Sequence, residues 1–408
     1  MWFVYGVIAL WLVHLGGAVA MAWRFQRSIG NFVELEHEPE VLVVAPVKGA
    51  GRHLPGFLAA LRAQRYGRYR ILAVVEAEGD PAVPVLRSAA QGPGAPLEVA
   101  VAGLAVDEGQ KIHNLIHALD RLEARDEVVA FVDADTQPQP DWLLRLVEPL
   151  TRGDVDVVTG HRWLLPVRGD LPSALTAAAV NSLVGALRIW DVVWGGTCAM
   201  RRTTIERIGL RERWRGSVVD DVHLTRILRE QGQRILAPRT LIVPSPVEHS
   251  ARSALAFGRR QYLFVRWYLP KVWWIGACST ALSLVAGACT LVLALAGDWF
   301  ALLALVLGLG LAQARAEVRC RIVDKVWGAE AGRSYRATAD GAVRWLAPAW
   351  VLLHAASVWS TLASRRLTWS GVVYEFRGYR ETRIVSRAGR APPDPAARSA
   401  PLDRGAAG

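Results

Sequence analysis

The pattern of apolar and polar positions divides the chain into three kinds of segment. Trp2 to Ala22 is apolar with only His14 interrupting it, and Arg24 and Arg27 follow. That run is long enough to cross a bilayer as a helix. It lacks the basic start of a cleaved leader, which favours an uncleaved anchor. Short apolar runs then alternate with segments of helical spacing. Val41–Ala45, Ile71–Val75, Leu97–Val101, Val128–Val132 and Val155–Thr159 read as strands. Leu54–Gln64, Gly109–Ala124 and Asp141–Leu150 carry the helical period. This rhythm predicts an α/β domain, a mostly parallel sheet with helices on both faces. Beyond Lys271 the long apolar pattern returns. Val272–Ala296 predicts a second span and Trp299–Ala314 a shorter third. Trp345–Ala363 is a fourth candidate, weakened by Pro348 and His354. Leu171–Leu187, followed by Arg188, Trp190, Asp191 and Trp194, reads as a core helix or as one lying in the membrane interface.

Composition sharpens this picture. Of 408 residues, 52% are hydrophobic, and the mean hydropathy of +0.21 is high for a soluble protein. The net charge of +11 would suit a nucleic-acid binder. Its basic residues flank the apolar spans, however, so positive-inside topology and anionic headgroups explain them better. That rule places Arg24–Lys271 in the cytoplasm, and the Ala/Arg-rich composition points to a bacterial inner membrane. A full span at Trp345–Ala363 would put the arginines from Arg365 to Arg390 outside, against the rule. Cys198, Cys278, Cys289 and Cys320 show no metal-ligand spacing and read as reduced. The expected division is an anchor over 1–23, a catalytic domain over 38–271, and a membrane region of two to three spans over 272–364. A basic tail over 365–390 and a disordered end over 391–408 follow.

The chemistry starts at Asp133-Ala134-Asp135, two carboxylates just after the run Val128–Val132. Ligands of open α/β sheets gather at the carboxyl ends of strands. Paired carboxylates there call for a positive partner, and a divalent cation carrying a diphosphate would serve; the plain alternative is a solvated turn. No Gly-x-Gly-x-x-Gly follows the first strand, and no phosphate-binding Gly-x-x-x-x-Gly-Lys-Ser/Thr occurs. Gly109-Gln110-Lys111-Ile112-His113-Asn114 opens a helix, where a lysine can meet a diphosphate or a base edge. Gly195-Gly196 permits close backbone approach to a ligand. Thr203-Thr204-Ile205-Glu206 reads as a capping box. Asp220-Asp221 precedes a helix, either as a cap or as a general base. Arg259-Arg260-Gln261 and Arg266-Trp267 precede the second span, as a basic belt or as ligands of a departing diphosphate.

In chain order, Pro46-Val47-Lys48, Gln110-Lys111-x-His113-Asn114, Asp133-x-Asp135, Gly195-Gly196, Asp220-Asp221 and Arg259-Arg260-Gln261…Arg266-Trp267 resemble the inverting family 2 glycosyltransferases. The resemblance is closest to the membrane-bound ceramide glucosyltransferase-like branch, which also contains bacterial hopanoid glycosyltransferases. Trp369-Ser370-Gly371-Val372-Val373-Tyr374 is similar to the Trp-x-Gly-x-x-Tyr element after that branch's last span. The resemblance implies a GT-A fold, a nucleotide-sugar donor such as UDP-glucose, a lipid acceptor, and Mg or Mn. It implies that Asp133 and Asp135 meet the donor and its metal, with Asp135 the metal ligand. Lys111 would contact the nucleotide, Asp221 would be the base with Asp220 beside it, and Gln261, Arg266 and Trp267 would form the Gln-x-x-Arg-Trp signature.

Two departures stand out. Where many members carry an Asp for the nucleobase, this chain has Glu76 and Glu78, and Gln261 lies five residues before Arg266 rather than three. A processive polysaccharide synthase uses the same chemistry but needs more spans. A non-catalytic scaffold with a degenerate transferase domain is the rival of another class.

Overall fold

The computed structural model describes residues 1–30, 35, 37–184, 192–341 and 343–388. Four strands of the catalytic domain run parallel in the order β3-β2-β1-β4: β1 (Val41–Pro46), β2 (Tyr69–Val75), β3 (Leu97–Val101) and β4 (Val128–Val132). The sheet continues from β4 into β7 (Thr197–Arg201), antiparallel to it, then β5 (Val157–Thr159) and β8 (Ile235–Leu236). The side-chain period of two sends alternate residues to opposite faces. Val41, Val43 and Ala45 join one core, with α2 (Leu54–Arg62), α3 (Ala82–Gln91) and α5 (Trp142–Thr151). Leu42, Val44 and Phe131 join the other, with α4 (Gln110–Leu119), α7 (Arg202–Arg207), α8 (Leu210–Trp214) and α9 (Asp221–Glu230). Burial on both faces is why these strands read as continuous apolar runs. A separate parallel pair, β6 (His161–Pro166) with β9 (Ile242–Val247), had no signal in the apolar pattern.

Three helices are long and apolar enough to cross a membrane: α1 (Trp2–Arg27), α11 (Pro270–Leu295) and α12 (Trp299–Trp327). Only 11%, 17% and 22% of their most apolar windows is covered by protein, which leaves long apolar faces exposed, compatible with membrane association. The last ten or so residues of α12 carry Arg315, Glu317, Arg319, Arg321, Asp324 and Lys325 and cannot lie in hydrocarbon unpaired. Here α12 packs on the catalytic domain. Val318, Ile322 and Val323 join Phe25 and Ile29 from the end of α1 around Trp163 of β6.

Asp340, 1% exposed, anchors this junction. It accepts from Arg319 Nη2 at 2.7 Å and from Arg344 Nη2 at 2.6 Å, while Arg319 Nη1 reaches Ser182 Oγ at 3.0 Å just past α6 (Leu171–Asn181). The expected interfacial helix near 171–190 is thus seen as α6 up to Asn181, packed on β6; residues 185–191 lie outside the described residues.

The segment after α12 departs most from expectation. A short helix, α13 (Ala329–Tyr335), leads to α14 (Ala347–Trp359), whose 13 residues span about 20 Å, less than a bilayer's hydrocarbon core. The chain then returns to the catalytic domain. The expected basic tail folds from Arg366 to Arg387 into an antiparallel sheet, β10 (Arg366–Trp369), β11 (Val372–Gly378) and β12 (Glu381–Arg387). Ser370 and Gly371, both at positive φ, make its first turn. Leu367, Tyr374, Phe376 and Ile384 bury against Val218, Val219 and Val222 beside the Asp220-Asp221 loop, and against α10 (Ala251–Tyr268). The segment before β10 therefore brings the chain back to the catalytic domain. The 391–408 segment lies outside the described residues.

Removing one member of a buried ion network strands the others. Asp340→Ala should cost about 3–5 kcal/mol, seen as a lower Tm of the detergent-solubilised protein, and adding Arg319→Met should restore part of it. An unchanged Tm for Asp340→Ala would show that the junction does not depend on this charge.

Candidate active site

The site forms where four loops meet at the carboxyl end of β4. Asp133 and Asp135 leave that strand, and the Asp133 amide donates to Gly196 O at 3.3 Å. Lys111, in the first turn of α4, lies between two carboxylates. Its Nζ is 2.6 Å from Asp133 Oδ1 and 2.9 Å from Asp220 Oδ2. The lysine side chain is 14% exposed and that of Asp220 only 4%, so neither the solvated helix start nor the simple cap describes them. Burial alone would pull the lysine's pKa down. The charges of Asp133, Asp220 and Asp221 outweigh it and push the pKa above its ordinary value. The Asp133 carboxyl is raised by burial, against the pull of Lys111.

Asp221 has a different environment. Its Oδ2 accepts from the Gly195 amide at 3.2 Å and its Oδ1 from the Val222 amide at 2.6 Å. Burial, then the neighbouring Asp220, raises its pKa to about 7, although Lys111 opposes this. Of the two adjacent aspartates, Asp220 is thus held by the lysine and Asp221 is poised to exchange a proton near neutral pH. Gly195 is required for this contact. A Cβ there would lie 2.1 Å from Asp220 Oδ2 and 3.2 Å from Asp221 Cβ.

Asp135 is 57% exposed and opens towards solvent, where it accepts from Arg162 Nη2 at 2.7 Å. Among the described residues no three His, Cys, Asp or Glu side chains gather into a metal cage. One or two carboxylates beside an open face suit a hard cation that keeps water and takes its other ligands from phosphate, so the donor set fits Mg or Mn.

The other expected site residues separate. Glu76, at the end of β2, is held by Lys48 Nζ at 2.9 Å and lies 3.9 Å from Arg387 Nη1. Glu78 pairs with Arg87, and both are more than half exposed. Arg266 turns away from the carboxylates and donates from Nη1 to Thr361 O at 2.8 Å and Ser364 O at 2.9 Å. Trp267 stacks on Phe376 of β11 at 5.4 Å, and Gln261 is half-buried on α10. The Arg266-Trp267 pair therefore docks the C-terminal segment. Arg260, one turn from Phe257 on α10, also feels the charges of Asp135 and Asp133.

Gln110 and Asn114 do structural work. The Gln110 side chain ties Gly103 O, the Ala105 amide and Asn114 Oδ1 together. Arg387 Nη1 donates to Gln110 Oε1 at 3.0 Å, and the Gln110 amide donates to Tyr374 Oη at 3.2 Å. Arg387 and Arg162 escaped the sequence reading because each is one arginine among many, with no local spacing to mark it. Tyr374 was legible only through its Trp-x-Gly-x-x-Tyr context.

This sheet is shared with a mannosyltransferase from Pyrobaculum calidifontis, solved in complex with GDP-Man and Mn2+. The two are 19% identical and superpose with a TM-score of 0.52, over 79% of this chain and 99% of that one. A second solved structure, described as a mycobacterial protein, matches with 16% identity over 61% of this chain and 77% of that one, at a TM-score of 0.38. Sheet order and this likeness show a GT-A fold. The chain belongs to glycosyl transferase family 21, whose sequence profile matches residues 9–380.

Two outcomes follow from the Gly195–Asp221 contact. Gly195→Ala should displace the Asp220-Asp221 loop and abolish turnover in a protein that still folds; retained turnover would show that the contact is dispensable. The second concerns stability. An unfolded Asp titrates near 3.9, so between about pH 4 and 7 native Asp221 holds more proton than the unfolded chain. Its contribution to stability therefore falls as pH rises through that window. Asp221→Asn should raise Tm at pH 8 and converge with the wild type towards pH 4. A lower Tm at pH 8 would contradict the raised pKa.

Proposed function

We propose that the enzyme transfers a single sugar from a nucleotide sugar, UDP-glucose or a relative, to the hydroxyl of a lipid acceptor of ceramide or hopanoid type, with inversion. The observation that carries this reading is the convergence of Lys111, Asp133, Asp135, Asp220 and Asp221 at one strand end, in a domain packed against helices long and apolar enough to cross a membrane. Asp135, with Asp133 behind it, would hold Mg or Mn against the donor diphosphate. When bound, the cation would stabilise charge on the leaving nucleotide. Lys111 fixes both aspartate loops and keeps one N–H for a donor oxygen. Asp221 takes the proton of the attacking hydroxyl, and its raised pKa suits that work at neutral pH. Displacement from the face opposite the leaving nucleotide gives a β-glycoside from an α-linked donor. Glu76, held by Lys48, is better placed than the exposed Glu78 to meet the nucleobase. The basic residues flanking the spans support a catalytic domain on the cytoplasmic face of a bacterial inner membrane.

Purified protein offered UDP-glucose, UDP-galactose and UDP-GlcNAc with a membrane lipid extract and Mn2+ should yield one discrete glycolipid by thin-layer chromatography and mass spectrometry. Asp221→Asn should lower kcat by about 10²–10⁴-fold, and wild-type kcat/KM should rise as Asp221 ionises through about pH 7. A product ladder would replace this reading with a polymer synthase, and undiminished turnover in Asp221→Asn would remove Asp221 from the base role.

A further inference from the structure

Beside Asp135 lies a cationic pocket to which the steps above give no work. Arg162 of β6 reaches Asp135 through Nη2, but its Nε is buried with no partner among the described residues. Its guanidinium is 5.7 Å from both the Trp194 and Phe257 ring centroids. Arg260 of α10 sits over the other rings of the same wall, 5.3 Å from Phe257 and 5.8 Å from Trp369. His249 lies tilted against Phe257 at 5.4 Å, and its Nε2 is likewise buried and unpartnered among the described residues. Arg162 is close enough to disfavour the charge of Arg260, and both disfavour that of His249. Two guanidiniums thus face a single exposed carboxylate, with a buried imidazole donor or acceptor beside them.

A planar guanidinium fork matches a carboxylate and a phosphate equally well, and aromatic walls fix its plane. A buried unpartnered donor is costly unless a ligand satisfies it. Asp135 is also the carboxylate best exposed for a divalent cation, so a phosphate on that cation falls within reach of a side chain already touching Asp135. We propose that Arg162, flanked by Arg260, is a phosphate ligand of the donor site that trades Asp135 for an oxygen of the nucleoside diphosphate. Arg162 yields Asp135 to the cation and turns to the diphosphate in the same event. Cation and nucleotide then bind cooperatively, each removing the competitor of the other. This rests on the nucleotide-sugar reading and assigns it a residue outside the recognised motifs.

The test is binding, measured by calorimetry and by the Mn2+ paramagnetic resonance signal on the full chain in detergent. Wild type should bind Mn2+ more tightly with UDP or GDP present than without. Arg162→Gln should bind Mn2+ alone at least as tightly as wild type, lose the coupling, and weaken UDP or GDP by about 10–100-fold, the worth of one charge-assisted hydrogen bond. UMP should be little affected. Arg162→Lys, which keeps the charge without the fork, should fall between and guards against a folding defect in the first variant. Unchanged coupling and diphosphate affinity in Arg162→Gln would overturn the proposal. So would loss of dodecyl phosphate binding with UDP binding intact, which would assign Arg162 to a lipid phosphate. A wild-type chain that bound neither UDP nor GDP with Mn2+ would instead sink the nucleotide-sugar reading itself, and this assignment with it.

Discussion

A single ammonium group holds the catalytic centre together. Lys111 brings the Asp133 loop and the Asp220 loop to one point, and each would otherwise present a buried carboxylate to another. A buried charge is tolerated only when paired, and one lysine between two aspartates leaves one negative charge uncompensated. Burial, and then the charge of the adjacent Asp220, raises the pKa of Asp221 against the pull of Lys111. The lysine contacts Asp133 and Asp220, so the two adjacent aspartates sit in different environments.

The rest of the domain serves this arrangement. The β4 strand is buried on both faces and flanked by β1 and β7, so its carboxyl end is among the stiffest points of the sheet. Gly109 lets the start of α4 approach Val218, where a Cβ would meet Val218 O at 2.3 Å. The Gly109 amide donates to Ser217 O at 2.7 Å, and the Val218 amide donates to Tyr268 Oη at 3.0 Å. The Asp220-Asp221 loop is therefore tied on one side to the helix carrying the lysine, and on the other to α10, which leads into the long apolar helix α11.

Much of this was legible in the chain. Buried strands announce themselves as apolar runs, and Val128–Val132 and Leu97–Val101 match the structure residue for residue. The aspartates were legible because two carboxylates at a strand end need a reason. The Thr203-Glu206 capping box was misread, since the helix starts at Arg202 and Glu206 pairs with that arginine instead. Arg266 reads from the sequence as a ligand of the departing diphosphate, whereas carbonyls just past the end of α14 hold it in the structure. The β6–β9 pair was missed because its two strands are distant in sequence. The C-terminal sheet was missed because the arginine-rich surface of its strands hides a period of two. Charge counted along the chain could not distinguish Arg387, 8% exposed, from the solvated arginines around it.

The order of the elements has a consequence for how the enzyme is made. The strands that pack behind the Asp220-Asp221 loop are encoded after α11 and α12, and Thr382 Oγ1 donates to Gly216 O at 2.7 Å only once the chain has come back. A nascent catalytic domain therefore lacks its own back wall until the chain through β12 has been made. A chain cut short before Arg366 would leave the Asp220-Asp221 loop without Leu367, Tyr374 and Phe376 behind it. Completion of the site is in this way deferred to the end of synthesis.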